Sequence, residues 1–222
     1  MNIFIKQPRR VFFVFIISLF SRLCIAAGLG AGFDEAYYYS YSLRPSLSYF
    51  DHPPFVGFLA GLFPTIIGIA NHFTIRLGAI LLFSLAGLML YQFAKKLVSE
   101  DEAFFTYLLF NITPLFSLGA GTMILPDSGL VFFWILSLWI LQKLFFKNHD
   151  TFSMWILGGL LAGLAMLSKY HGVLLILSLF MYILFYHRKL LISLKPYSYV
   201  IISLIVFLPV IIWNLKYNFI SF

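Results

Sequence analysis

The chain has 222 residues, 62% hydrophobic, 20% aromatic and only 10% charged, which excludes a soluble domain and leaves a polytopic helical membrane protein. The alternating pattern of a membrane β-barrel is absent. Basic residues in such a chain record orientation, so the net charge of +7 is no nucleic-acid footprint and no nucleic-acid partner is expected.

A basic tail (Lys6, Arg9, Arg10) leads into a first span at 11–27. The segment resembles a signal peptide with Cys24-Ile25-Ala26 as its cleavage site, but Arg22 and the many later spans predict an uncleaved helix. Cys24 is the single cysteine, so there is no disulfide framework. Gly28, Gly30 and Gly32 end the span and open an outer loop, 28–71. Its stretch FDEAYYYSYSLRPSLSYFDHPP holds Asp34, Glu35, Asp51, His52, Arg44 and five tyrosines. Carboxylates beside a membrane are costly unless they are paired or functional. Asp34 is predicted as the N-cap, with Glu35 in the first turn, of a short aromatic helix running to about Leu43. Arg44-Pro45 stops it, because a residue before proline resists the α region. Pro53-Pro54 stiffens the approach to an apolar segment at 55–70, with Gly57 and Gly61, which Pro64 is expected to break. It reads as an interfacial helix.

Further spans are predicted at 75–94, closed by Lys95-Lys96, and at 103–118, which contains Pro114. The sequon Asn111-Ile112-Thr113 falls inside the membrane and is not a glycosylation site. A turn, GAGTMILPD, leads to Asp127 at the head of a span at 130–146. Spans at 152–167 and 173–186, joined by SKYHG, and at 197–213 make seven. Gly158, Gly159 and Gly163 supply the small faces on which membrane helices approach closely. With a cytoplasmic N-terminus, Lys6, Arg9, Arg10, Lys95, Lys96, Lys143, Lys147, Arg188, Lys189 and Lys195 lie inside. Arg22, Arg44, Arg76, Lys169 and Lys216 lie outside, so the positive-inside rule favours this orientation. Asp34, Glu35, Asp51, His52, Asp127, Lys169 and His171 then share the outer face, where they are expected to meet in one pocket beside a lipid headgroup.

Such a set suits a substrate that is part lipid and part polar. Asp34 can act as general base on a hydroxyl or amine. Lys169 and His52, and more weakly Arg44, can neutralise a phosphate. Asp51, His52, Asp127 or His171 can hold a divalent metal against it. Each has a structural reading beside this one. Asp34 and Asp127 can be helix caps, Lys169 can snorkel, and Tyr37, Tyr38, Tyr39 and Tyr41 can form an interfacial belt. Arg22 can simply pair with a carboxylate or a helix end. Their joint placement favours a site.

Asp34-Glu35, then YFDHPP (49–54), Pro126-Asp127 and GLLAGLAMLSKYHG (159–172), with PxxIWN at 209–214, together resemble the GT-C superfamily of membrane glycosyltransferases. The likeness is greatest to bacterial relatives of protein O-mannosyltransferases and of the aminoarabinose transferase that modifies lipid A. It covers nearly the whole chain, read as one transmembrane module, 1–222. The resemblance implies an all-α GT-C module of about seven spans with interfacial helices in the outer loop. It implies a polyprenyl-phosphate sugar donor, inverting transfer and a cavity open to the periplasm, in a bacterial inner membrane with the N-terminus cytoplasmic. Asp34 matches the first-loop base, Glu35 its companion, and Asp127 a second important acid. Asp51 and His52 match a pair that touches a metal and the lipid phosphate, with histidine here in place of lysine and hence a pH-dependent contact. Lys169, with Tyr170 and His171 beside it, matches the lysine near the donor phosphate. No nucleotide-binding motif is present, so no nucleotide cofactor is expected, and neither the acceptor nor the sugar is named by the sequence. Relatives continue beyond a seventh span, which predicts a fragment, a split gene or a truncated product. Two other classes also fit: a transporter or flippase, against which stands the clustering of charges at one outer face without an inverted repeat, and a non-catalytic remnant that binds lipid phosphate or a partner.

Overall fold

A computed structural model describes residues 9–146 and 150–221; Lys6 and Lys147 of the orientation count lie outside the described residues. Every regular element among the described residues is helical. The order is α1 (Arg9–Gly28), α2 (Phe33–Leu43), α3 (Phe55–Ile67), α4 (Leu77–Ala94), α5 (Glu100–Ile112), α6 (Pro126–Phe146), α7 (Phe152–Ser168), α8 (Val173–Tyr186) and α9 (Leu194–Lys216). Short 3₁₀ turns at Thr74–Arg76, Tyr170–Gly172 and Arg188–Ile192 introduce α4, α8 and α9. Among the described residues four helices are long and apolar enough to cross a membrane: Arg9–Gly28, Thr74–Ala94, Pro126–Phe146 and Leu194–Lys216. The other three expected spans correspond to α5, α7 and α8, which have 13, 17 and 14 residues and fall short of the ~20 that a bilayer requires.

Three local expectations change. The span expected at 103–118 stops as an α-helix at Ile112. Thr113 is extended (φ −63°, ψ 120°) because Pro114 follows it, and a π-helical turn, Leu115–Ala120, takes over. Pro64 does not break α3, which runs through it to Ile67; the stop comes from Gly68, whose φ of 77° is a left-handed helix end. Asp34 is not the cap of α2. Gly32 occupies that position, and the Glu35 carboxylate accepts the Gly32 backbone N–H at 2.9 Å, half of a capping box.

The chain divides into two compact units, one within residues 1–39 and 59–125, the other within 40–58 and 126–222. In the first, α1, α4 and α5 pack around Val11, Leu88, Tyr91, Ala94, Ala103 and Tyr107. Arg10 pairs with Asp101 and Arg22 bonds Asn111, so α1 and α5 run parallel. Phe83 of α4 stacks on Phe110 of α5, centroids 4.3 Å apart. Ser99 and Glu102 form a complete capping box that starts α5.

In the second unit α7 lies between α6 and α9. Contacts pair Gly158 with Tyr199 and Ile140, and Gly163 with Ser203 and Val206, while Met166 clusters with Phe207 and Val210. These registers make α7 parallel to α9 and antiparallel to α6. Ser203 Oγ donates to Gly159 O at 3.0 Å, which requires backbone-to-backbone proximity. A Cβ on Gly159 would lie 2.9 Å from Tyr199 Cα. Gly159→Val is therefore expected to destabilise the fold by about 1–3 kcal/mol, the usual cost of overpacking. It should read as a lower melting temperature in detergent; an unchanged one would show that the two helices do not meet at this residue.

Candidate active site

In the first unit the chain has just left α1 through its glycines, and the last carbonyls of that helix lack intrahelical partners. Arg76 supplies them. Its Nη1 donates to Ala26 O (3.1 Å) and Leu29 O (2.5 Å), and its Nη2 to Gly30 O (2.9 Å). The same guanidinium grips Glu35 with both teeth of its fork, Nε to Oε1 at 2.7 Å and Nη2 to Oε2 at 2.6 Å. Arg76 thus spends all five of its N–H donors. Glu35 also accepts the Ile124 N–H at 3.1 Å, which ties in the GAGTMILPD turn. The pair is enclosed: Arg76 is 0% and Glu35 2% exposed. Burial pushes the Glu35 carboxyl upward, but the Arg76 hydrogen bonds, the two backbone N–H groups and the Arg76 charge outweigh it and hold it below its usual range.

Arg76 is delivered by a locked turn. Asn71 Oδ1 accepts the N–H groups of Phe73 (3.0 Å) and Thr74 (2.9 Å), while Thr74 Oγ1 accepts the Asn71 N–H at 3.0 Å. That turn leads into α4, and Arg76 reaches from it to hold Glu35 in the first turn of α2. Glu35 points into the protein and Asp34, one residue earlier, is exposed. Among the described residues no ion pair engages Asp34.

In the second unit Pro126 opens α6, as proline commonly does at a first helical position, and Asp127 sits in the favourable first turn. Lys169 is the extended residue that ends α7. Its Nζ donates to both Asp127 oxygens, at 2.8 and 2.9 Å, and the two side chains are 24% and 38% exposed. The start of α6 and the end of α7 meet because Gly129 carries no side chain: a Cβ there would lie 2.5 Å from Ser168 Oγ and 2.6 Å from Phe55 Cδ1. Phe55 begins α3 directly after FDHPP and also packs edge-on against Phe133 of α6. The three motifs YFDHPP, PD and SKYHG therefore converge at one end of this unit.

The YFDHPP loop is tied down. The Tyr49 hydroxyl bonds Tyr41 O (2.8 Å), Arg44 O (3.0 Å) and the Ser46 N–H (3.0 Å). The Tyr41 and Tyr49 rings stack at 3.6 Å. Ser221 Oγ donates to Tyr49 O at 3.0 Å, reached by a reversal after α9 in which Asn218 and Phe219 take φ of 55° and 57°. Asn214 of PxxIWN holds that reversal, accepting the Ser221 N–H on Oδ1 at 3.2 Å. On this frame Asp51 is exposed and His52 partly buried. Tyr170 packs edge-on against Phe207, and His171 beside it is exposed.

Of the residues expected from sequence, Asp51, His52, Asp127, Lys169, Tyr170 and His171 belong to the second unit, Asp34 and Glu35 to the first. Among the described residues no three His, Cys, Asp or Glu side chains gather as a metal-binding set. Sequence reading missed Arg76. Its signal was present, an arginine opening a span just after the turn pattern Asn71-x-x-Thr74. It also left Asn111 without a role, although that side chain receives Arg22.

Residues 51–213 match the family described as dolichyl-phosphate-mannose-protein mannosyltransferase. No curated protein matches the chain, and no solved structure does. The matched residues include Asp51, His52, Asp127 and Lys169; Asp34 and Glu35 precede them.

Proposed function

Since the chain belongs to the dolichyl-phosphate-mannose-protein mannosyltransferase family, whose members are membrane glycosyltransferases, we propose that it moves a sugar from a polyprenyl-phosphate donor to a hydroxyl acceptor by a single inverting displacement. The observation that carries this reading is the Asp127–Lys169 pair, held beside the YFDHPP loop by the close contact of Phe55, Gly129 and Ser168. Two of the three protons on Lys169 Nζ go to Asp127, and the third is left for a phosphate oxygen. Asp127 orients the ammonium, and His52 adds a contact that strengthens when it is protonated. The base is Asp34 on the strength of the sequence resemblance alone: it takes the proton of the acceptor hydroxyl, whose oxygen attacks the anomeric carbon. The bond from that carbon to the phosphate oxygen breaks, and the electron pair leaves on the polyprenyl phosphate. Glu35 holds the start of α2, and with it Asp34, rather than touching the reacting atoms.

Orientation follows the same reading. In the second unit Lys143, Arg188, Lys189 and Lys195 lie at the helix ends opposite Asp127 and Lys169, which supports the proposal that the site end faces the periplasm of a bacterial inner membrane. The test is transfer of labelled sugar by the full chain in liposomes. Transfer is expected, and Lys169→Gln should raise KM for the donor about tenfold or more, the worth of one charge-assisted hydrogen bond (~1.5–3 kcal/mol). Movement of donor across the bilayer without transfer, or binding without turnover, would refute the reading.

A further inference from the structure

Arg22 lies within α1, about 9 Å from its end at Gly28 at ~1.5 Å per residue, and is 3% exposed. A lone arginine at such a depth ordinarily snorkels to the interface. This one is tied inward. Its Nη2 donates to Asn111 Oδ1 at 2.7 Å, and Asn111 is itself fixed by its Nδ2 bond to Tyr107 O at 2.8 Å. Its Nη1 reaches Ser18 Oγ at 3.4 Å, and its guanidinium carbon sits 4.6 Å from the centre of the Phe83 ring. All of these partners are neutral. Its Nε–H, fully buried, has no hydrogen-bond partner among the described residues, and no carboxylate there forms an ion pair with it. A full charge in apolar surroundings with only neutral neighbours is strongly disfavoured unless a counter-charge arrives from outside the chain.

Beside Arg22 opens a cavity of about 330 Å³ between α1 and α5, a size typical of small-ligand clefts. Its walls are mostly apolar (Ile17, Ile25, Leu108, Ile112), interrupted by the hydroxyls of Ser21 and Ser117. We infer that Arg22 and this cavity bind the headgroup of a lipid monophosphate, whose hydrocarbon chain lies along the apolar faces of α1 and α5. The ligand is an anion because the guanidinium offers only donors. It is lipid-borne because the cavity opens among side chains that face outward on both helices: Ile17 is 64% and Ile112 59% exposed. A simple monophosphate fits better than a zwitterionic headgroup, since no carboxylate among the described residues stands there to receive an ammonium group. This inference does not depend on the transfer reaction.

The test uses the full chain in detergent and three probes: farnesyl phosphate, farnesol and inorganic phosphate. Farnesyl phosphate is expected to bind saturably, with farnesol and inorganic phosphate at least tenfold weaker. Arg22→Gln should weaken it tenfold or more, and Arg22→Lys should keep part of the affinity. A diazirine-bearing farnesyl phosphate on the unaltered chain, which needs no variant to fold, should label peptides within 14–25 and 108–118. Equal binding of farnesol, equal binding of free phosphate, undiminished binding by Arg22→Gln, or labelling confined to the neighbourhood of Lys169 would each overturn the inference. The last outcome would assign the lipid to the proposed donor contact.

Discussion

Glu35→Ala is expected to cost about 3–5 kcal/mol, the usual penalty for breaking a buried ion pair from one side. The cost comes from what remains: Arg76, 0% exposed, keeps its charge and loses the fork-to-fork partner that neutralised it. Arg76→Met should be comparably damaging, because it strands the carboxylate and also uncovers the carbonyls of Ala26, Leu29 and Gly30. The combination Glu35→Leu with Arg76→Met separates the two causes. Removing both charges should recover much of the loss, since an apolar replacement of a buried pair is often neutral. Melting of each variant in detergent reads this directly, and a Glu35→Ala chain that melts with the parent would show the pair to be unimportant. The pH dependence has a definite sign. Glu35 titrates below its usual range, so its contribution is complete above the unfolded-state value of ~4.3 and is lost as pH falls through the lower folded value. Glu35→Gln should remove that part of the acid sensitivity.

The class and the helical order were legible because the signal is one of composition: long apolar runs, glycine punctuation and a proline at the right place. The helix from Asp34 to Leu43 was legible for the same reason, its stop being written as Arg44-Pro45. Helix ends were not. Pro64 and Pro114 look alike in sequence, yet α3 runs through the first, which lies one turn from its end, and α5 stops before the second. Pairing was also hidden. Asp34 and Glu35 are adjacent acids with the same apparent promise, but on a helix neighbours point about 100° apart, so only one of them can face the core. Which one is decided by Arg76, 41 positions away, and no local pattern carries that distance. Asp127 and Lys169 stood out as an acid and a base at two helix ends, and their contact at 2.8 Å depends on Gly129 admitting Phe55 and Ser168. That requirement is visible only once the helices are packed.

The fate of the other acid follows from the same contrast. Asp34 is exposed and bears no ion pair among the described residues, so Asp34→Asn should leave stability within about 0.5 kcal/mol of the parent, as for an ordinary surface change. Its effect on chemistry should be large. A positioned general base contributes about 10²–10⁴-fold, and asparagine of nearly the same shape cannot accept the proton. The loss should fall on kcat, with KM for the donor unchanged, since the base acts on the acceptor. Lys169→Gln is expected to show the reverse split, because its contact is with the donor phosphate. The two variants therefore test each other. If Asp34→Asn transfers sugar at the parent rate, it is not the base; if it melts early instead, Asp34 holds the fold as Glu35 does, and the acceptor must be deprotonated by another group.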